Sequence, residues 1–218
     1  MIDGYMLALT SNVQEGLVFY LILVVSLSVH EWAHAYVADR VGDPLPRAQG
    51  RVTLNPRAHI DPIGTVLLPL AMIFLNPGFA IFGWGKPVQV SLPNPKTRVR
   101  DDLVITGAGP LSNLLLAFVV ALVGGLVLRF LPDASPLRGL LEAFIFINCL
   151  LFLFNLVPVP PLDGSRFLKH AVRMREETYA GFARYGFIVI LVLINVDAFR
   201  VVFRDGLLFI TNLFVGLL

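Results

Sequence analysis

Gly16-Leu17-Val18-Phe19-Tyr20-Leu21-Ile22-Leu23-Val24-Val25-Ser26-Leu27-Ser28-Val29-His30-Glu31-Trp32-Ala33-His34-Ala35-Tyr36-Val37 is the stretch on which the fold turns. Its apolar length is enough to cross a bilayer core of about 30 Å as a helix. Its last third nevertheless carries two histidines and a glutamate. His30 lies fourteen residues past Gly16, about 21 Å along a helix at 1.5 Å per residue. Polar groups at such depth cost kcal/mol unless they are paired or bind a metal.

The rest of the chain agrees with a membrane setting. Of its 218 residues, 56% are hydrophobic and 15% charged, against roughly 25% charged in a soluble domain. The apolar residues fall into about six blocks: Gly16–Val37, Ile63–Leu75, Leu103–Leu131, about Leu137–Asn155, about Phe182–Val196 and Val201–Leu218. The expected fold is an all-α polytopic membrane protein. One integral-membrane domain is expected over residues 1–218, with a catalytic core of about 16–175 and C-terminal helices over about 178–218. A net charge of +2 is too small and too scattered for a nucleic-acid partner. Cys149 stands alone, so no intrachain disulfide is expected. Residues 1–15 contain Asp3 and Glu15 but no Lys or Arg, so no secretory signal is expected.

Topology follows from the second block. Ile63–Leu75 is short for a span and stops at Asn76-Pro77-Gly78, a turn signal. If every block crosses once, the basic residues divide 8 to 9 between the two sides and decide nothing. If the second block instead enters, turns and returns through Phe79–Val90, they divide 13 to 4. The re-entrant arrangement is therefore expected, with the N-terminus outside and the end of the first helix in the cytoplasm. It requires short extended stretches near membrane depth, which only a protein-lined or water-filled cavity tolerates. Phe82–Val90 is the candidate extended strand, able to hold unwound substrate by strand addition; a plain connecting loop is the alternative.

His30 and His34, four apart, project from one helix face. With Glu31 they form His-Glu-x-x-His, the two-histidine zinc pattern in which the glutamate acts as general base. Catalytic zinc takes a third protein ligand and leaves a position for water. His59, His170 and Asp163 are the candidates. Asp163 is preferred because Pro158, Pro160 and Pro161 break the fourth helix just before it and Gly164 follows. Capping of the helix from Ser165 onward is its other possible role. Asn155 is weighed evenly between substrate contact and helix-helix hydrogen bonding.

These residues resemble the site-2 protease family of intramembrane zinc metallopeptidases. The resemblance rests on His30-Glu31-Trp32-Ala33-His34 and on Asn155 with Asp163-Gly164. It also rests on Gly107-Ala108-Gly109-Pro110-Leu111-Ser112-Asn113, similar to a family helix start. Asn55-Pro56 through Gly64, and Gly83-Trp84-Gly85-Lys86-Pro87-Val88, look like the short bacterial and archaeal branch, which lacks PDZ and CBS domains. The resemblance implies one zinc held by His30, His34 and Asp163, and Glu31 activating a zinc-bound water. It implies substrate contacts at Asn155, Pro158, His59, Trp84 and Lys86. The implied substrate is a membrane-anchored protein cut in or near its span, and the implied place is a prokaryotic cell membrane, with the site toward the cytoplasm. Two other functions share these residues. One is an inactive relative that binds membrane partners, against which the intact Glu31 argues. The other is a metal or ion transporter, against which the lack of internal repeats argues.

Overall fold

A computed structural model describes residues 13–75, 83–131 and 135–218. The chain forms two compact units that meet in sequence at Ser91–Leu92.

The first unit is built on α1, Val13–Arg40, which contains the whole opening stretch. Glu15 in its first turn and Arg40 in its last complement the helix dipole. Its end is a Schellman turn: Asp43 N–H donates to Ala38 O and Gly42 N–H to Asp39 O. Gly42 has φ +95°, a conformation that favours glycine. Val18, Leu21 and Val25 on α1 are exposed, whereas Ser26, His30, Glu31, His34 and Ala38 are buried. That is the inverse of a soluble helix and suits one facing lipid. After the short α2, Leu45–Ala48, the chain makes a 3-10 turn at Pro56–Ala58 and a wide π-helical turn at Pro62–Leu67, which runs on into α3, Leu68–Leu75. Asp61 caps this last helix, accepting from Ile63 N–H (3.0 Å) and Gly64 N–H (2.7 Å). Pro69 has no N–H to donate, and the wide turn lies immediately before it.

Among the described residues the second block is helical over Pro62–Leu75, shorter than a full span. The expected turn at Asn76-Pro77-Gly78 and the residues Phe79–Phe82 lie outside the described residues.

The second unit contains α4 (Arg98–Phe130), α5 (Ser135–Asn155), α6 (Gly164–Ala171), α7 (Glu176–Leu193) and α8 (Asp197–Val215). All six apolar blocks are therefore helical. Among the described residues three helices, α1, α4 and α5, are long and apolar enough to cross a membrane. The bent pair α7–α8, kinked by 84°, makes four if it counts as one span. Among the described residues one apolar block forms only the short helix Pro62–Leu75, and two others share a bend at the extended Val196.

Gly107–Asn113 does not start a helix. It lies inside α4, which begins at Arg98 and passes Pro110 unbroken. Asn113 Nδ2 donates to Asn148 Oδ1 of α5 at 3.0 Å, and both side chains are fully buried. This is helix packing fixed by an interhelical amide bond. Gly124 and Gly125 let α4 approach Leu141 of α5 and the C-terminal Leu217 closely. Arg138–Glu142 and Arg204–Asp205 form ion pairs, and Cys149 is buried.

Candidate active site

α1 places His30 and His34 one turn apart and buried. Their Nε2 atoms lie 3.0 Å apart, and the rings stand edge to face with centroids 4.6 Å apart. Zinc–imidazole bonds of about 2.0–2.1 Å at the tetrahedral angle place two ligand nitrogens about 3.3 Å apart. The pair fits zinc: two soft-to-borderline nitrogen donors converge from one helix face with almost the required spacing.

Glu31 points to a different set of partners. Its Oε2 accepts the backbone N–H of Val88 at 3.0 Å and lies 3.7 Å from Arg51 Nη2. Arg51 is itself buried, with Nη1 donating to Ala58 O at 2.6 Å and Nη2 donating to Lys86 O. Burial works against the guanidinium charge, and the Glu31 carboxylate works for it. A Cβ at Gly85 would stand 3.2 Å from Glu31 Cγ and 3.4 Å from Oε1. Glycine there leaves room for the carboxylate.

The segment Gly83–Ser91 contains no helix. Trp84 N–H donates to Gly64 O at 3.1 Å, and Trp84 O accepts from Thr65 Oγ1 at 2.7 Å. Lys86 N–H donates to His59 O at 2.8 Å. With Val88 on Glu31, backbone partners recur at every second residue, the period of an extended chain. The C-terminal end is tied down by Ser91, whose N–H and Oγ both donate to Asp43. The expected strand is thus extended backbone but not a β-strand: no strand occurs among the described residues. Its partners are loop carbonyls and side chains, and Pro87 lacks the N–H that a ladder would use.

His59 corrects the expectation of substrate contact. It is 2% exposed, and its Nε2 bonds Thr53 O at 2.7 Å. A carbonyl only accepts, so Nε2 carries the proton. Burial holds the imidazole below its usual pKa, that is, neutral at neutral pH. Its ring braces the loop that receives Lys86. Trp84 is exposed and lies against Gly64, where any Cβ would meet the indole at 2.2 Å. Lys86 is exposed.

In the second unit, α5 ends at Asn155 and gives way to the proline-rich turn. Asn155 Nδ2 donates to Leu151 O of its own helix at 2.9 Å, so this bond is neither helix-helix nor to a substrate. Pro158 is exposed on the turn. Asp163 occupies the N-cap position of α6, yet its side chain makes no capping bond, and its φ and ψ are already helical. Capping therefore does not explain Asp163. Gly164 is required by close approach rather than by an unusual φ: a Cβ there would meet Leu156 O at 2.3 Å. Asp102 of α4, 2% exposed, anchors α6 through Arg166 Nη1 and His170 Nε2, both at 2.7 Å. His170 is thus a structural partner of Asp102.

Arg51 and Asp102 escaped the sequence reading as site residues. A loop arginine and an aspartate at a helix start carry no distinctive spacing, and only their long-range partners reveal them.

A protein of Bacillus subtilis (strain 168) named "Putative zinc metalloprotease YwhC" is 40% identical over 177 residues, covering 78% of this chain and 77% of its own length. The chain belongs to peptidase family M50, the site-2 protease family. The M50 family model matches residues 130–194, the stretch that holds α5, the proline turn and Asp163. A second M50-like relative, "Putative zinc metalloprotease Rip2" of Mycolicibacterium smegmatis, is 31% identical over 190 residues, covering 83% of this chain and 69% of its own. The match to YwhC extends well beyond the M50 model's own span. No solved structure matches the chain. Membership of M50 and the apolar helices make it an integral membrane protein and a zinc metalloprotease by family.

Proposed function

We propose that this chain is an endopeptidase that cuts membrane-anchored proteins within or near their transmembrane segment. One observation carries the proposal: an HExxH pair with converging ring nitrogens, and a glutamate held beside it, sit well inside a helix long enough to span. His30 is ten residues before Arg40, about 15 Å along the helix.

His30, His34 and Asp163 hold one zinc in this proposal. Zinc, when bound, acidifies water and polarises a peptide carbonyl. The protein residues do the rest. Val88 N–H fixes Glu31 through Oε2, which leaves Oε1 as the oxygen that takes the proton and later delivers it to the leaving amine. Arg51, 3.7 Å from Oε2, holds that side of the carboxylate in place.

A substrate helix must unwind before its peptide bond is reachable, because its backbone groups are bonded internally. In Gly83–Val90 the even-numbered residues Trp84, Lys86 and Val88 turn their backbone groups toward the loop and Glu31. Extended geometry then turns the N–H groups of Gly85 and Gln89 and the carbonyls of Gly85, Pro87 and Gln89 to the opposite edge, which supports strand addition by unwound substrate. Trp84, Lys86 and Pro158, all exposed, are the side chains proposed to touch it, with Asn155 nearby in sequence. The charge asymmetry of the loops in the re-entrant arrangement supports a site toward the cytoplasm, and the likeness to the short bacterial and archaeal branch supports a prokaryotic cell membrane.

The test compares membrane-protein fragments in cells carrying wild type or Glu31→Gln. Fragments ending in or near a transmembrane segment should appear only with wild type. Identical fragment sets would refute proteolysis.

A further inference from the structure

We propose that Arg51 is a positioning residue that locks Glu31 and the extended segment Gly83–Val90 into one register. The inference rests on Glu31 being the base.

Arg51 lies at a junction of three pieces of chain. Its guanidinium reaches the Glu31 carboxylate on α1, the Ala58 carbonyl on the loop and the Lys86 carbonyl on the extended segment. Its own backbone is fixed: Arg51 N–H donates to Pro46 O at 2.9 Å, and Thr53 N–H donates to Arg51 O at 2.9 Å. Gly50, at φ +67°, turns the chain into this position. The side chain is 5% exposed and Glu31's is 11% exposed, so water screens the pair little. A surface ion pair would have neither the burial nor the two carbonyl acceptors.

The two ends of this junction belong together. Lys86 O receives Arg51, and two residues on Val88 N–H reaches Glu31, both from the same edge of the extended chain. The guanidinium thus sets the height of Lys86 relative to Glu31, and Val88 then meets the carboxylate. Any backbone laid along the opposite edge inherits that register, so a substrate bond would be presented at a fixed height relative to Glu31. The planar fork of Arg suits two carbonyls at once, whereas Lys brings one point charge.

Three measurements on the purified full chain in detergent test this with Arg51→Gln and Arg51→Lys: zinc per chain, kcat and KM separately on a single-span substrate, and amide exchange along residues 84–91. Both variants should retain wild-type zinc. Exchange at Lys86 and Val88 should rise at least tenfold while Trp84, anchored by Gly64 and Thr65, keeps its protection. The kcat should fall at least tenfold in both, since Lys cannot reproduce the fork. Unchanged exchange at Lys86 and Val88 would overturn the proposal, as would full rescue by Lys. So would exchange that rises equally at Trp84, which marks general loosening. A wild type that cleaves nothing overturns the protease function instead, and the exchange arm still decides the role of Arg51.

Discussion

Val88 N–H donates to Glu31 Oε2 at 3.0 Å, joining residues 57 apart in sequence. This bond makes the extended segment part of the immediate surroundings of Glu31 rather than a connection between helices.

Gly85 follows directly. A methyl group there must displace Glu31 Cγ, 3.2 Å away, or His59 O, 3.5 Å away. Gly85→Ala should keep zinc and lower kcat about 10- to 100-fold, as ångström-scale misplacement of a catalytic group does. Zinc analysis beside steady-state kinetics checks it.

Gly164 tests the geometry around the proline turn. A Cβ would overlap Leu156 O at 2.3 Å and Val157 O at 2.5 Å, both backbone atoms that cannot swing aside. Gly164→Ala should destabilise the protein by about 1–3 kcal/mol, read as a lower midpoint of unfolding in detergent, and should weaken zinc retention if Asp163 is a ligand.

Asp102 holds α6 from α4 through Arg166 and His170. Asp102→Asn keeps the shape and loses the charge. Because Arg166 is 38% exposed, solvent screens part of the effect, and about 1–2 kcal/mol of stability should be lost. Denaturant unfolding of the two proteins measures it.

These positions also show what the sequence made legible. The six helical blocks followed from hydropathy alone, and the meeting of the His30 and His34 rings followed from a four-residue spacing, because both are local patterns. The partners of Arg51 at Ala58 and Lys86, and of Asp102 at Arg166 and His170, lie between 7 and 68 residues away. No local pattern announces them. The extended segment was legible from its prolines, but its pairing was not: a strand was expected, and loop carbonyls and side chains take that place. The helix through Pro110 agrees with the apolar block Leu103–Leu131, whereas the helix start that the family resemblance implied at Gly107–Asn113 does not occur. Asp163 stood out by contrast, since it sits between a proline turn and a helix.

His59 gives the pH dependence. Burial lowers its pKa in the folded protein below the unfolded value, about 6.5. The unfolded chain therefore takes up a proton first as pH falls, so the stability that His59 contributes is fully present above about pH 6.5 and is lost as pH falls through its folded pKa. His59→Gln can still donate to Thr53 O but does not titrate. Its unfolding midpoint should fall less than that of wild type between pH 7 and 5; parallel curves would show that His59 does not cause the slope.

The central claim is a zinc site with Glu31 as its base, and the most direct measurement sets zinc content beside cleavage in one preparation. Purified wild type and Glu31→Gln are reconstituted in liposomes with a single-span protein substrate. Both should hold one zinc per chain, and only wild type should cut the substrate. Wild type without zinc, or Glu31→Gln that still cleaves, would contradict the claim.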